Sequence, residues 1–248
     1  MLKIIIVLLS VFFNFLSHAE KINIYIPDEP YLSYYDKNDA KIKGFSIDVL
    51  RLLRAEVDDD SIITQLPQAI IKSIHTKTIN SLFIEFYKDK SNVNSYQQVG
   101  IISEFSLNVY KLQARNDIII KSFDDIKKYT FGVVRYGGRH EYFKSVNFNK
   151  SFDTHVVTTD EQNILRFFMG RTDLLIENPF VLKYLISSHN LDSSLVEKVY
   201  PLKVLSGHLG IFFSLNTNIA LVKKYQAAFN KIKQTDEFNG LLEHYSVN

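Results

Sequence analysis

Two arginines flanking two glycines form the clearest chemical pattern in this chain. The segment Arg135-Tyr136-Gly137-Gly138-Arg139 follows an apolar run that is typical of a buried strand. Free backbone N–H groups at the start of a helix, combined with a guanidinium group, bind anions. The segment therefore predicts an anion pocket, with Arg135 favoured over Arg139 as the contact. The alternative interpretation is two solvated arginines beside a structural glycine turn.

A single glutamate, Glu85, lies within the otherwise apolar segment 81–86. An unpaired carboxylate in a protein interior is costly, so Glu85 either faces a cleft or pairs with a lysine. We favour the cleft. Phe86 and Tyr87 follow directly, and we expect them to stand beside Glu85 where the strand ends.

The loop after the first predicted strand is rich in tyrosine. It contains Tyr31, Tyr34 and Tyr35, and it follows a segment with two prolines. Aromatic rings stack on small ligands, and Tyr31 and Tyr34 are the candidates for that role. Half-buried tyrosines are common in loops, so we expect only one of them to contact a ligand.

These candidates lie near the ends of predicted strands, which alternate with predicted helices along most of the chain. This order is typical of α/β folds with largely parallel sheets, which bind ligands at the carboxyl ends of their strands. The first helix is expected to start with Ser46 as its N-cap. The predicted strands cover residues 22–26, 81–86, 108–114, 131–134, 155–157, 173–176 and 210–214.

The composition argues against several classes of function. The chain has 248 residues and no cysteine, so it has no disulfide, thiolate metal site or cysteine nucleophile. Its 29 basic and 27 acidic residues are dispersed, whereas a nucleic-acid-binding protein normally concentrates basic charge. The 7 histidines have no paired spacing on a predicted helix. We therefore expect no nucleic acid, no metal and no cofactor.

The first 19 residues predict a secretory signal peptide. Lys3 supplies a positive start, and the stretch from Ile4 to Leu16 is nearly all apolar. Ser17 and Ala19 then place small residues as expected for cleavage after Ala19. The alternative is an uncleaved anchor, for which the run is short because a membrane span takes about 20 apolar residues. We expect a soluble protein exported to the periplasm.

Several segments, taken in order, resemble the family 3 extracellular solute-binding proteins, the periplasmic amino-acid-binding proteins of ABC importers. A proline-aromatic loop leads into a Gly-Phe-x-x-Asp helix start, and a Lys-Ser-hydrophobic-Asp-Asp segment precedes a strand with a glycine turn. A Gly-Arg-x-Asp-hydrophobic strand follows. The resembling segments span residues 30–35, 44–50, 121–126, 131–138 and 170–176, and with the C-terminal helices they cover nearly the whole mature chain.

The resemblance implies a two-lobed Venus-flytrap α/β fold, in which two hinge strands join two mixed sheets. Residues 20–112 and 209–248 would form lobe one, and residues 113–208 would form lobe two. The crossings would lie near residues 107–115 and 203–214. Hinge bending would close the lobes over a small polar solute, amino-acid-like or zwitterionic. A membrane ABC permease or sensor would read the closed shape, and we expect the protein to be a monomer.

Three ligand-contact positions depart from the family pattern. The arginine that pairs with an amino acid's carboxylate would fall near Asn92, in a loop that offers lysines instead. The family's position for the aspartate that pairs with the ammonium group is occupied by Asn178, which has no charge. Glu177 beside it can supply the charge instead. The family's position for a stacking aromatic residue falls near Leu66 and Pro67, neither of which is aromatic. Glu177 and Asn178 are therefore candidate site residues on the lobe-two edge.

Two other functions stay open at this point. One is an enzyme similar to periplasmic cyclohexadienyl dehydratases, in which Glu85 and Glu177 would act as acid and base. The sequence has no nucleophile elbow, phosphate loop or metal-ligand motif to support it. The other is a ligand-free pair of lobes that works through protein contacts, which the three altered positions keep open. We favour the non-enzymatic solute-binding protein.

Overall fold

The chain forms two five-stranded sheets and one short hairpin, with helices packed against both large sheets. The computed structural model describes residues 21–74, 77–87, 96–148 and 154–245. The strands are β1 (Asn23–Ile26), β2 (Tyr34–Asp36), β3 (Lys41–Lys43), β4 (Ile63–Gln65), β5 (Ser81–Tyr87), β6 (Tyr96–Phe105), β7 (Asn108–Leu112), β8 (Phe131–Val134), β9 (Thr154–Val157), β10 (Leu174–Glu177), β11 (Val196–Pro201) and β12 (Gly207–Ser214). The α-helices are α1 (Phe45–Val57), α2 (Gln68–Ile74), α3 (Gly138–Ser145), α4 (Asp160–Phe168), α5 (Pro179–Ser188), α6 (Ile219–Ile232) and α7 (Asp236–His244).

The first sheet, with the strand order β4-β1-β5-β12-β6, forms the framework of lobe one. β1 runs parallel to β4 and β5, whereas β12 runs antiparallel to β5 and β6. Apolar side chains of α1, α6 and α7 form one core with this sheet, and Phe45, Phe213 and Phe229 are fully buried in it. The parallel strands direct their following loops to one edge of the sheet.

The second sheet, with the strand order β11-β7-β10-β8-β9, forms lobe two. One face packs the aromatic side chains Phe131, Phe143 and Phe148, and the other packs against α4 and α5. Every residue of β10 is buried, as expected for a central strand covered on both faces. That burial explains the apolar run that ends at Glu177.

Two crossings join the lobes and lie side by side. The chain leaves lobe one at Ser106 and Leu107, between β6 and β7, and returns over residues 202–206, between β11 and β12. Leu107 donates its backbone N–H to Ser206 Oγ at 3.0 Å, and Leu202 donates to the Leu107 carbonyl at 2.8 Å. The narrow, paired connection makes rotation about the crossings the softest relative motion of the lobes.

The lobe boundaries differ by a few residues from those expected at 112 and 208. β7 pairs with β10 and β11, so residues 108–112 belong to the sheet of lobe two. Gly207 and His208 pair with Phe105 and Glu104 of β6, so they belong to lobe one. A sequence pattern marks a strand, but only its hydrogen-bonded partners show which sheet it joins.

A strand lies in each of the predicted strand segments, with ends shifted by a few residues at most. Five strands were not predicted: the hairpin strands β2 and β3, the three-residue strand β4, and the longer strands β6 and β11. β6 and β11 form sheet edges and mix half-buried with exposed side chains, so they lack a clear alternation. The prediction of Ser46 as an N-cap is wrong, because the helix begins at Phe45 with Gly44 as its N-cap.

Within the described ranges, no helix combines the length and the apolar character that crossing a membrane requires. The predicted signal peptide, residues 1–19, lies outside those ranges. Its cleavage after Ala19 therefore stays a prediction.

Candidate functional site

The loop after β1 reaches the gap between the lobes and is held on the start of α1. Glu29 and Ser33 exchange two backbone hydrogen bonds of 2.9 Å, which close the loop. The carbonyl groups of Tyr31 and Leu32 accept hydrogen bonds from the first two N–H groups of α1, at 3.1 and 2.9 Å. The first N–H groups of a helix have no partner within the helix. The loop therefore caps α1, and α1 fixes the loop.

Gly44 permits this close approach. Its φ of +123° lies in the region that favours glycine. A Cβ at this position would lie 2.5 Å from the carbonyl oxygen of Leu32. Tyr31 also has a positive φ, of 72°, which is unusual for a residue with a side chain. The loop is thus held in a conformation that a free chain would rarely adopt.

Both predicted loop tyrosines contact Tyr184, which lies on α5 in lobe two. The ring centroids of Tyr34 and Tyr184 are 5.3 Å apart, and those of Tyr31 and Tyr184 are 6.0 Å apart. On its other side, Tyr31 meets the ring of Tyr245 edge-on at 5.4 Å. Burial raises the pKa of Tyr31 to about 12, so its phenol stays neutral. Tyr35, in contrast, is 50% exposed.

The glycine turn predicted as an anion pocket uses part of its backbone internally. Gly137 donates its N–H to the Val134 carbonyl at 3.1 Å, and Tyr136 donates to His140 Nδ1 at 3.1 Å. α3 then begins at Gly138, where an added Cβ would meet open space. The turn can therefore offer an anion the first N–H groups of α3, in an accessible place.

The two predicted arginines have opposite environments. Arg135 is exposed. The side chain of Arg139 is only 17% exposed, and it bridges two carboxylates of lobe two. Its Nη1 donates to Glu177 Oε1 at 2.7 Å, and its Nη2 donates to Asp160 Oδ1 at 2.5 Å. We call Arg139, Glu177 and Asp160 the lobe-two ion cluster.

Two members of the lobe-two ion cluster, Glu177 and Arg139, have shifted pKa values. Glu177 is 2% exposed. Burial raises the pKa of Glu177 to about 7, because desolvation and the nearby charge of Asp160 outweigh the attraction of Arg139. Burial opposes the charge of Arg139 as well, but attraction to Glu177 and Asp160 raises the pKa of Arg139 above its ordinary range. Glu177 therefore pairs with Arg139 through Oε1, while burial disfavours its charged form.

The side chain of Asn178 connects α5 to a crossing. Its Oδ1 accepts the backbone N–H of Phe180 at 2.8 Å, which makes it the N-cap, and Pro179 takes the first helical position. Its Nδ2 donates to the Ser106 carbonyl at 2.9 Å. The Asn178-Pro179 pair predicts a helix start from the sequence, because proline suits a first turn, and the structure confirms it. Both polar ends of the amide are therefore engaged, one in capping α5 and one in binding the crossing.

A small pocket lies next to this junction, between the two lobes. Tyr31, Phe45 and Phe105 line it from lobe one, and Asn178 and Phe180 line it from lobe two. Ser103 and Glu104 also line the pocket, whereas Arg135 and the lobe-two ion cluster do not.

The candidate residues Glu85, Phe86 and Tyr87 lie at the carboxyl end of β5. They are its last three residues, and their backbones pair with residues 208–210 of β12. Their side chains lie outside the described part of the structure, and so does the loop that contains Asn92. A ligand contact by Glu85 therefore stays a prediction.

Sequence reasoning missed two site residues and assigned a third to another role. Tyr184 and Tyr245 complete the ring cluster at the gap, but a tyrosine on or after an amphipathic helix looks like any half-buried residue. The sequence Thr159-Asp160 ahead of an apolar helical pattern predicts a helix cap at one of these two residues. Thr159 is the cap, since its side chain accepts the N–H of Gln162, and Asp160 pairs with Arg139.

The described residues include no group of three or more side chains that could hold a metal ion. The acidic side chains of the lobe-two ion cluster face an arginine instead. The chemistry that this arrangement supports is recognition of a polar molecule through ion pairs, hydrogen bonds and ring contacts.

Comparison with known proteins gives no matching family model and no match among curated proteins. Solved structures do match. A histidine kinase sensor domain with similarity to periplasmic binding proteins has a TM-score of 0.76 at 11% identity, covering 90% of this chain and 95% of its own. This chain has the periplasmic-binding-protein fold.

Two further neighbours share this fold. An ancestral arginine-binding protein bound to arginine has a TM-score of 0.73 at 16% identity, covering 92% of this chain and 99% of its own. The substrate-binding protein of an amino acid ABC transporter has a TM-score of 0.68 at 16% identity, covering 90% and 98%. The periplasmic-binding-protein fold confirms the two-lobed α/β class and the resemblance seen in the sequence motifs, at the level of the fold.

Proposed function

We propose that this protein is a non-enzymatic solute-binding protein that captures a small polar, amino-acid-like or zwitterionic solute between its lobes. The observation that carries the proposal is the architecture: two lobes joined by two short crossings meet through tyrosine rings beside a small interlobe pocket. A solute that contacts both lobes stabilises the closed arrangement. The arginine-bound neighbour is an example of the same fold holding an amino acid.

We assign the lobe-two contact to Arg135 and the start of α3. Arg139 and Glu177 are paired with each other, so neither offers its full charge to a solute. Arg135 is exposed beside the accessible helix start at Gly138. A guanidinium next to helix N–H groups favours an anionic group such as a carboxylate. On lobe one, Tyr31 and Glu85 are the candidates to meet the rest of the solute.

We infer a membrane partner that reads the closed shape, either an ABC permease or a sensor. Both kinds of neighbour support this inference, since one is a transporter's binding protein and another is a sensor domain of a histidine kinase. Binding proteins and sensor domains share this architecture, so the fold does not tell a permease partner from a sensor partner. The surface through which this chain contacts its partner must make that distinction.

We infer export to the periplasm with residues 1–19 as the signal peptide. The support is the positive start at Lys3, the short apolar run and the small residues Ser17 and Ala19. N-terminal sequencing of the chain expressed in a Gram-negative host is expected to give Glu20 as the first residue. A chain that retains residue 1 and stays in the membrane fraction would show an anchor instead.

Isothermal titration calorimetry of the purified protein tests the proposed binding. The panel is the L-amino acids, small amines and small carboxylic acids. We expect saturable heat with one class, and an affinity at least tenfold weaker in Arg135→Gln, because a hydrogen bond to a charged group contributes about 1.5–3 kcal/mol.

Two results would contradict the proposal. One is a folded protein, verified by circular dichroism, that gives no heat with any member of the panel. The other is turnover of a cyclohexadienyl substrate, which would assign the scaffold to the enzyme class. Arg135→Lys retains the charge without the planar fork, so it separates a charge effect from a bidentate contact.

A further inference from the structure

Among the described residues, tyrosine rings of the two lobes contact each other between the segment that follows β1 and helix α5. Tyr34 and Tyr31 belong to lobe one, and both rings lie 5.3–6.0 Å from the ring of Tyr184 in lobe two. Tilted rings at such centroid distances attract each other beyond the area that they bury. Because the partners belong to different lobes, these contacts exist only while the lobes are together.

The rings on the lobe-one side are held in place before they meet Tyr184. The backbone of Tyr31 caps α1, and its ring packs edge-on against Tyr245 at 5.4 Å. The Tyr245 hydroxyl in turn donates to Asp48 Oδ2 at 2.6 Å. Forming the contact with Tyr184 therefore freezes little additional conformational freedom on this side.

The position of Tyr184 gives its contact a large effect on opening. Asn178, at the start of α5, is tied to the crossing through Ser106. Tyr184 lies six residues further along the helix, about 9 Å from that attachment at 1.5 Å per residue. Rotation about the crossings moves Tyr184 farther than Asn178, so the ring contacts must break early in any opening.

Charged residues near these rings both attract and repel each other across the two lobes. Glu29 of lobe one attracts Arg139 of lobe two, and Asp28 of lobe one repels Glu161 of lobe two. Attraction and repulsion of this kind oppose each other and are weakened by solvent. The ring contacts carry no charge, so they favour closure whatever the balance of these charges.

We propose that Tyr31, Tyr34 and Tyr184 form a tyrosine clasp that favours closure of the lobes without a solute. Both sides of each contact belong to this chain, so the contact energy is present before any solute binds. A solute then adds to a closed population that already exists. A partner that reads the closed shape would accordingly respond at low solute concentration. The clasp does not depend on the proposed function, since it concerns the unliganded protein.

Distance measurement between spin labels on the two lobes tests the clasp. The chain has no cysteine, so Lys37→Cys and Ser187→Cys, both at exposed positions, accept the labels without background. The protein is unfolded in guanidinium, dialysed and refolded, which removes any bound solute. We expect one dominant short distance in the parent, and an open-to-closed ratio about tenfold higher after Tyr184→Ala, which corresponds to about 1.4 kcal/mol.

Two variants control for side effects of the substitution. Tyr184→Phe keeps the ring and is expected to stay within about twofold of the parent ratio. Tyr35→Ala removes a half-exposed tyrosine from the same hairpin and is expected to leave the ratio unchanged.

Two outcomes would overturn the clasp. The first is a refolded parent protein whose long-distance population already dominates. The second is a Tyr184→Ala protein with the parent's distance distribution and an intact thermal transition. Neither outcome depends on whether a solute is ever found, so the clasp and the proposed function can fail separately.

Discussion

The two walls of the gap are built on different physical principles. The lobe-one wall is a loop whose backbone is pinned on α1 and whose tyrosine rings project to the gap. The lobe-two wall holds a buried arginine between two carboxylates, Glu177 and Asp160. Lobe two thus uses its strongest charges to hold itself together, whereas lobe one leaves its aromatic rings available to the opposite lobe. The buried charges of the lobe-two wall are therefore paired within the lobe, and Arg135 is left exposed beside them.

Arg139→Met is expected to produce the largest effect, because it breaks the lobe-two ion cluster. Removing one partner of a buried ion pair leaves an uncompensated carboxylate and typically costs 3–5 kcal/mol. We expect the free energy of unfolding to fall by about 3 kcal/mol, measured by urea denaturation at pH 8. Arg135→Met, at the exposed arginine four residues earlier, is expected to stay within about 0.5 kcal/mol of the parent. Equal losses in the two variants would show that the two arginines do not differ.

Gly44→Ala tests the backbone support of the lobe-one wall. The added Cβ would lie 2.5 Å from the Leu32 carbonyl oxygen at a φ of +123°. We expect a loss of about 2 kcal/mol in the free energy of unfolding, together with altered fluorescence of the tyrosines in the loop. The matched control is Gly138→Ala, where a Cβ meets open space at a helix start. That variant is expected to be as stable as the parent or slightly more stable, and a loss as large as that of Gly44→Ala would contradict the steric argument.

The pH dependence of stability shows whether burial, which raises the pKa of Glu177, outweighs attraction to Arg139, which lowers it. Burial raises the pKa of Glu177 to about 7, above the ordinary value of 4.5 for a glutamate. Between these values the folded protein retains a proton that the unfolded chain has released, so stability falls as pH rises, by at most about 1.4 kcal/mol per pH unit. Glu177→Gln cannot titrate, so the difference in free energy of unfolding, parent minus variant, should fall from pH 5 to pH 7. A difference that grows over that range would mean that Arg139 keeps Glu177 ionised.

Tyr245→Phe gives the smallest of the expected effects and tests the support of the Tyr31 ring. It removes a hydrogen bond of 2.6 Å to Asp48 Oδ2 but keeps the aromatic ring. We expect a loss of about 1 kcal/mol by thermal or urea denaturation. Tyr35→Phe, on a half-exposed ring, should change stability by only a few tenths of that. If the two variants behave alike, the Tyr245 hydroxyl contributes nothing to holding the wall.

Much of the fold was predictable because its central strands have simple sequence patterns. Buried parallel strands such as β8 and β10 are short apolar runs, and their ends were placed within one residue. The edge strands β6 and β11 were missed, since one side of an edge strand pairs with nothing and its burial is irregular. β6 and β11 are also the strands that lead into the two crossings. Because they were missed, the predicted lobe boundaries differ from the observed ones by a few residues.

The candidate site was predictable in residue type but only partly in role. Tyr31 and Tyr34 were expected to contact a solute, and the structure places them against Tyr184, a residue 150 or more positions away along the chain. Arg139 and Glu177 were expected as separate ligand contacts, and they are bonded to each other. A pairing between residues so far apart leaves no local pattern in one sequence.

The resemblance to a known family implied the two-lobed class. By itself, the sequence determined the alternation of strands and helices and the accumulation of tyrosine, arginine and glutamate at strand ends. Those features depend on the spacing of apolar residues and on turn chemistry, which act over a few positions. Only the tertiary structure decided which charges neutralise one another and which rings meet across the gap. The reason is physical: desolvation, ion pairing and ring contact depend on distances between segments, and chain folding alone sets those distances.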